Sequence, residues 1–236
     1  MNFFLLIRSC IFYAVYTFVT LLFGLYLLLF QHIFSNNQNT RVLSLWTFYV
    51  IWALRFICGI RFKVNGRENI PNDLFIALSN HQSQWETYYL VHLLKPVSVV
   101  LKQELLNIPV FGWCLSKMNP IAIDRSNPKE ALKSIQTKGL KHLNEDRFRV
   151  LIFPEGTRQP CGQLGKFARS GAQLAIRSQY PVIAISHNAG HCWIPGKLIK
   201  KPGLITINIS PVIPSDEKNA SKLTQEVKGW IEQNQP

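Results

Sequence analysis

His81 and Glu86 have residue types and a spacing that could support acid–base chemistry. In the stretch "SNHQSQWE", His81 follows an apolar run, and the carboxylate of Glu86 comes five positions later. An imidazole whose tautomer is fixed by a carboxylate can take a proton from a hydroxyl. On a regular helix, five residues place two side chains about 140° apart. A catalytic pair therefore requires His81 to lie in a loop before the helix. The alternative is that His81 and Asn80 cap the helix while Glu86 is solvated.

A second cluster, "FPEGTR" at residues 153–158, follows the strongest predicted strand. Proline and glycine favour a tight turn, and Arg158 offers a planar set of donors that suits a phosphate. The cluster predicts either an anion site at a strand end or a plain surface turn.

Four motifs in a fixed order make the sequence similar to a known family. They are an N-H-x4-(D/E) box at 80–86, "IPVFGW" (108–113) leading into "NPIAIDR" (119–125), "FPEGTR" (153–158) and "YPVIAISHNAG" (180–190). Together they resemble the glycerophospholipid acyltransferases, particularly the bacterial 1-acyl-sn-glycerol-3-phosphate (lysophosphatidic acid) acyltransferases, over roughly residues 61–213. Glu86 stands where the family usually has Asp, and Asn119-Pro120 departs from the glycine-led start of the family's second motif.

The resemblance implies roles for individual residues. His81 would remove the proton from the sn-2 hydroxyl of lysophosphatidic acid while Glu86 holds the imidazole, and the acyl group would come from acyl-CoA or acyl-carrier protein. Neither a metal, a cofactor nor an acyl-enzyme is implied, and the sequence contains no G-x-S-x-G nucleophile motif. The oxyanion would be stabilised by N–H groups near the start of the His81 helix or near Gly156. The implied acceptor-binding residues are Lys102, Arg125, Glu155, Gly156, Thr157 and Arg158.

The elements that must position these residues are short strands alternating with helices. Apolar runs rich in β-branched residues predict strands at 74–79, 97–102, 121–124, 148–153, 182–186 and 204–209. A capping Asn127-Pro128-x-Glu130 predicts a helix over about 128–145, and amphipathic patterns predict helices over 166–179 and 216–233. Alternating strands and helices indicate an α/β catalytic domain at 61–236 with a mostly parallel or mixed sheet flanked by helices.

Residues 1–60 predict an N-terminal membrane-embedded anchor of two apolar helices. Residues 9–34 carry no charge and are long enough to cross a hydrocarbon core of about 30 Å. A polar link at 35–40 predicts a turn, and a second apolar stretch covers 42–60. Arg55 within that stretch favours a hairpin that enters one leaflet over two full crossings.

The charge and the cysteines bear on partners and compartment. The formal net charge of +13 indicates an anionic partner: a phospholipid surface, a phosphorylated substrate or nucleic acid. No acidic residue precedes Glu68, which suits a cytoplasm-facing membrane surface. Five cysteines without a C-x-x-C pair favour a reducing compartment. With the resemblance, this predicts the cytoplasmic face of the bacterial inner membrane.

Other interpretations remain open at this point. The same catalytic box would serve an acyltransferase acting on another lysophospholipid, or a hydrolase in which His81 activates water. A membrane-anchored nucleic-acid-binding protein is disfavoured because the lysines are scattered and no recognisable module is present, so we expect no nucleic-acid partner. His187 and His191 have the spacing of a metal pair, but nothing nearby completes a ligand set, and we interpret them as polar loop residues.

Overall fold

Two long helices open the chain. A computed structural model of the protein describes residues 2–30, 33 and 36–236. Helix α1 (Asn2–Phe30) packs against α2 (Asn36–Cys58), and each contains a stretch long and apolar enough to cross a membrane. The predicted turn at 35–40 is wrong for residues 36–40, which form the start of α2, and residue 35 lies outside the described residues.

The end of α2 at Cys58 fixes the position of Arg55 in the helix. The sequence places it inside an apolar stretch, but it lies in the last turn of α2, where a cation is favoured by the helix dipole. Its guanidinium lies 5.1 Å from the centroid of the Trp52 ring and 5.9 Å from that of Phe62. A charge at a helix end can reach an interface, so Arg55 is a weaker argument against a full crossing than the sequence suggests.

The described part of the chain forms one seven-stranded sheet of order β1-β7-β6-β2-β5-β3-β4. Neighbouring strands are parallel except β6 and β7, so the sheet is mixed, as predicted. The six predicted strands are present, and β1 was not predicted. The strands are β1 (Ile60–Asn65), β2 (Ile76–Ser79), β3 (Val97–Lys102), β4 (Ile121–Ile123), β5 (Arg149–Ile152), β6 (Val182–His187) and β7 (Gly203–Ile209).

In the described part of the chain five shorter α-helices follow: α3 (Trp85–Leu93), α4 (Phe111–Ser116), α5 (Pro128–Asn144), α6 (Ser170–Ser178) and α7 (Ala220–Gln233). The predicted cap of α5 is present, since the Asn127 side chain accepts a hydrogen bond from the Glu130 N–H. Helix α7 begins four residues later than predicted. Asn219 caps it, and Asp216 and Glu217 therefore lie in the preceding turn rather than in its first turn.

The sheet separates two apolar cores. Ala77, Leu151 and Ile183 face one core, which they share with α1, α2 and α3, whereas the alternate positions of the same strands face α5, α6 and α7. This alternation is the period-2 pattern of a strand buried on both faces. The first core runs without interruption from the two long helices to the sheet, since Phe12 and Leu54 belong to the same cluster as Ala77.

Candidate active site

The loop between β2 and α3 brings His81 and Glu86 together. His81 lies in this loop, as a pair requires, and Glu86 is the second residue of α3. Glu86 Oε1 lies 2.9 Å from His81 Nδ1 and accepts hydrogen bonds from the N–H groups of Gln82 (2.8 Å) and Ser83 (2.7 Å). The Ser83 hydroxyl donates to Oε2 at 2.7 Å. The carboxylate is thus fixed by four donors, and the helix-capping alternative, with a solvated Glu86, does not describe this loop.

The electrostatics of this pair determine the tautomer of His81. Burial of the Glu86 carboxyl, which is 1% exposed, would raise its pKa. The nearby His187 and His81 rings and the hydrogen bonds from His81 and Ser83 outweigh burial and lower the pKa to about 2. An ionised carboxylate only accepts hydrogen bonds, so His81 Nδ1 must carry the proton. His81 Nε2 is then the nitrogen that can accept a proton from a substrate.

The "FPEGTR" turn after β5 holds His81 from the other side. The Phe153 ring stacks on the imidazole with centroids 4.2 Å apart. The His81 N–H donates to Glu155 Oε2 at 3.2 Å, and the His81 carbonyl accepts from the Gln159 N–H at 2.8 Å. Glu155 Oε1 accepts from the Gly165 N–H at 3.4 Å. The Glu155 carboxylate therefore accepts hydrogen bonds from the backbone N–H groups of both His81 and Gly165.

The remaining "FPEGTR" residues turn the chain toward a cavity. Gly156 has φ +68°, a left-handed conformation that glycine adopts easily. Thr157 and Arg158, both exposed, then line a cavity of about 460 Å³ that His81 also lines. Glu155 and Gly156 are not among the lining residues.

Three cations converge on this cavity from different strand ends. Lys102 ends β3, Arg125 follows β4 and Arg158 follows β5, and all three line the cavity. Lys102 Nζ lies 2.9 Å from Glu104 Oε1 at the surface. Since solvent-exposed ion pairs contribute little, an incoming anion can replace Glu104.

The rest of the cavity lining is largely apolar. These residues come from α2, α3, β3, α4 and the segments next to α4. The second long helix, α2, therefore lies directly at the site. The apolar lining residues include Trp46, Val91, Val99, Phe111, Leu115 and Met118. A largely apolar cavity that is also lined by an imidazole and three cations fits an acyl chain attached to an anionic headgroup.

Comparison with known proteins decides the family. A family model described as Acyltransferase matches residues 61–188. The chain is 41% identical to a 1-acyl-sn-glycerol-3-phosphate acyltransferase of Pseudomonas aeruginosa, over 95% of this chain and 89% of that protein. The chain belongs to the acyltransferase family.

Further relatives and a solved structure agree with this. This chain is 31% identical to a 1-acyl-sn-glycerol-3-phosphate acyltransferase of Limnanthes douglasii, over 76% of this chain and 62% of that protein. The chain therefore spans less than two thirds of the length of the plant relative. A crystal structure of a 1-acyl-sn-glycerophosphate acyltransferase from Thermotoga maritima superposes with a TM-score of 0.80 at 21% identity, covering 97% of this chain and 93% of that chain. The fold is therefore shared.

Several N–H groups near the site of the acyltransferase are already engaged. Those of Gln82 and Ser83 donate to Glu86, and that of Gly156 donates to the Phe153 carbonyl at 3.0 Å. These groups lie in the two regions that the sequence suggested for an oxyanion site, near the start of the His81 helix and near Gly156, and these three N–H groups have other acceptors in this structure.

His187, one of the two histidines considered as a metal pair, is engaged in the fold. It is the last residue of β6 rather than a loop residue, and it is buried. Its Nε2 lies 2.9 Å from the Asn80 carbonyl, and its Nδ1 accepts from the Ala189 N–H at 3.3 Å. Burial lowers the His187 pKa, which favours the neutral ring. His191 is exposed in the following turn.

The sequence missed two parts of the site. Phe153 was recognised only as part of a motif, although its ring supports the imidazole. A second cleft of about 400 Å³ meets the cavity at Gln84, Arg158 and Pro195 and is lined also by Tyr13 of α1. Tyr13 lies far from the motifs in the chain, and Pro195 lies five residues beyond the fourth motif, so no motif included either of them.

A buried lysine holds the loop beside this second cleft. Lys200 is 1% exposed, and its Nζ lies 4.7 Å from the centroid of the Tyr13 ring and 4.8 Å from that of Trp193. Its backbone N–H donates to Ser9 Oγ at 2.8 Å. Burial lowers its pKa to about 8. The loop that borders the cleft is therefore attached to α1.

Proposed function

We propose that this acyltransferase transfers a fatty acyl group from a thioester donor, acyl-CoA or acyl-carrier protein, to the sn-2 hydroxyl of 1-acyl-sn-glycerol 3-phosphate, giving phosphatidic acid. The observation that carries the proposal is the 2.9 Å contact between His81 Nδ1 and Glu86, at one wall of a cavity that Arg158 also lines. The names of the two relatives support the choice of acceptor.

The reaction begins with proton removal. The sn-2 hydroxyl donates its proton to His81 Nε2 while the hydroxyl oxygen attacks the thioester carbonyl carbon, so one C–O bond forms and the carbonyl oxygen becomes an oxyanion. The charge of Glu86 stabilises the imidazolium that results. Collapse of the tetrahedral intermediate breaks the C–S bond, and the thiolate takes the proton back from Nε2. No covalent enzyme intermediate is required.

The three strand-end cations bind the acceptor's phosphate in this proposal. Arg158 provides two parallel donors, and Lys102 and Arg125 add positive charge at the same wall. Thr157 lines the cavity beside Arg158. The contacts of Glu155 support a positioning role on the His81 backbone, and the conformation of Gly156 supports the turn that directs Thr157 and Arg158 inward.

We propose further that the enzyme works at a membrane, on the cytoplasmic leaflet. The acceptor and the product carry chains that favour the bilayer by about 0.8 kcal/mol per methylene, so an enzyme docked on the leaflet does not have to extract them. The apolar surfaces of α1 and α2 support this docking, and the net charge of +13 suits an anionic surface. In this proposal the thioester donor reaches the site from the aqueous side of the leaflet. We propose no nucleic-acid partner.

The test is an acyl-transfer assay with the purified full-length chain. We expect phosphatidic acid from lysophosphatidic acid and either donor, with the His81→Ala variant slower by about 10²–10⁴-fold. The matched control is His191→Ala, which removes an exposed imidazole near the site. Turnover of another lysophospholipid as fast as that of lysophosphatidic acid would contradict the proposed choice of acceptor. Fatty acid released equally fast without any acceptor would indicate a hydrolase, and normal activity of His81→Ala would contradict the mechanism.

A further inference from the structure

The segment that forms one wall of the cavity, residues 105–116, has an unusual surface. It contains no charged residue, although Glu104 and Lys117 flank it directly. Leu105 and Phe111 line the cavity, whereas Ile108 and Trp113 do not line it and are 43% and 49% exposed. The wall segment thus places apolar side chains both on the cavity and on the outer surface, where the polar Asn107 and Ser116 are also exposed.

The wall segment packs closely against the first apolar helix. A Cβ added at Gly24 of α1 would lie 2.5 Å from Val110 Cγ1 and 3.4 Å from Cys114 Sγ, so the missing side chain allows the close approach. Val110 has φ +63°, which is costly for a β-branched residue and shows that its position is dictated by its surroundings.

Gly24 lies well inside the apolar helix. It is six residues from the end of α1 at Phe30, a distance of about 9 Å along the axis. The adjacent Leu21 and Leu25 are 52% and 56% exposed. If α1 lies in lipid, an element packed on Gly24 lies at the depth of these leucines.

We propose that the wall segment is a third membrane-contacting element, which enters the same leaflet as α1 and α2 and places Ile108 and Trp113 against lipid. This proposal rests on the membrane docking proposed above. We assign a phospholipid leaflet as the partner, because the segment packs on α1 at Gly24, beside the exposed Leu21 and Leu25, and contains no charged residue. Tryptophan also favours the interface between headgroups and acyl chains. An acyl chain can then pass from the leaflet along the wall segment into the cavity without crossing water.

Tryptophan quenching measures this contact directly. The full-length chain is added to vesicles of phosphatidylethanolamine and phosphatidylglycerol with brominated acyl chains, and the quenched fraction of tryptophan emission is compared between the wild type and Trp113→Phe. The control is Trp230→Phe, which changes a partly buried tryptophan packed against the core on the other face of the sheet. We expect the quenched fraction to fall for Trp113→Phe and not for Trp230→Phe. An unchanged fraction for Trp113→Phe in vesicle-bound protein overturns the proposal.

An activity split separates lipid contact from damage to the site. Trp113→Glu should lower transfer to a long-chain acceptor in vesicles by about tenfold, because a charge opposes entry into the leaflet, and leave transfer to a short-chain, water-soluble acceptor unchanged. Leu132→Glu, on the exposed side of α5, should change neither.

The outcomes distinguish the two proposals. An equal loss with both acceptors, or a Trp113→Glu variant that behaves like Leu132→Glu, overturns the role of the wall segment. A concentration-dependent dimer that Trp113→Glu dissociates would assign this surface to a second copy of the chain instead. A wild type that transfers acyl groups but does not bind vesicles overturns membrane docking and the third contact with it, and leaves the reaction standing.

Discussion

The ring of Phe153 stacks on the imidazole of His81 at an interplanar angle of 23°. Glu86 fixes the imidazole at Nδ1, and Phe153 covers one of its faces, so the ring has little freedom to rotate away from the cavity. In the proposed mechanism His81 is the general base, and its restriction matters because a small misplacement of a reacting group can lower a rate by about 10²-fold.

Replacing Phe153 should therefore affect turnover more than binding. We expect Phe153→Leu to lower kcat by about tenfold with little change in the KM for lysophosphatidic acid, since leucine fills space but offers no flat surface. Steady-state kinetics check this. Phe148→Leu, a buried aromatic change just before β5, is the matched control and should alter stability without the same loss of kcat. A rise in KM with an unchanged kcat for Phe153→Leu would mean that the ring contacts substrate.

Glu86 should be needed for its charge. The neutral amide in Glu86→Gln cannot stabilise an imidazolium, so we expect kcat to fall by about 10²–10⁴-fold. Glu86→Asp keeps the charge but shortens the side chain by one methylene, and it should give an intermediate kcat. If Gln and Asp lowered kcat equally, the position of the acceptor atom rather than its charge would be the important property.

The pH dependence of stability gives a second test of Glu86. Its pKa in the folded protein, about 2, is below the ordinary value of 4.5, so its contribution to stability is present above about pH 4.5 and is lost as the pH falls toward 2. The difference in unfolding free energy between the wild type and Glu86→Gln should therefore shrink in acid. Chemical denaturation in a series of buffers measures it. A difference that grew in acid would contradict the low pKa.

Glu155 should show the opposite sign. Burial raises its pKa to about 7, against the hydrogen bonds from the His81 and Gly165 N–H groups that lower it. The stability that it contributes is complete below about pH 4.5 and is lost as the pH rises through 7. Glu155→Gln is always neutral, so its melting temperature should depend less on pH in this range than that of the wild type. Parallel curves for the two proteins would show that Glu155 is already ionised there.

Arg158 should matter mainly for the acceptor. A hydrogen bond to a charged group contributes about 1.5–3 kcal/mol, so Arg158→Ala should raise the KM for lysophosphatidic acid by about 10- to 100-fold and leave the KM for the donor nearly unchanged. Arg158→Lys should be intermediate because lysine lacks the planar pair of donors. Arg177→Ala, an exposed arginine on α6, controls for the loss of one positive charge. A selective rise in donor KM would move Arg158 to the donor site.

The strands were predictable because each is a short run of β-branched residues between Pro, Gly or Asn. Strand β1 was missed because its first residue, Ile60, was assigned to the second apolar stretch. The remainder of β1 alternates between apolar and polar side chains, as an edge strand does. The antiparallel pairing of β7 with β6 was not predictable, because the direction of pairing depends on contacts between distant parts of the chain and not on local composition.

The site was predictable to the extent that its chemistry is local. His81 and Glu86 lie five residues apart, and the condition for their pairing, a loop position for His81, is met. The contact between Glu155 and the His81 backbone joins residues 74 apart in sequence, and no periodicity or motif spacing specifies which way such a carboxylate points. The roles of the predicted site residues stay predictions for the kinetic tests above.

The position of Lys200 affects how the protein can be trimmed for study. Its ammonium lies between the rings of Tyr13 and Trp193, and its main chain is tied to Ser9, so a fragment that starts after α2 would uncover a lysine and an indole that the whole chain conceals. Truncation at the apparent boundary near residue 60 should yield an aggregating fragment instead of a soluble catalytic module. Detergent or nanodisc preparations of the intact polypeptide are the appropriate starting material for crystallisation.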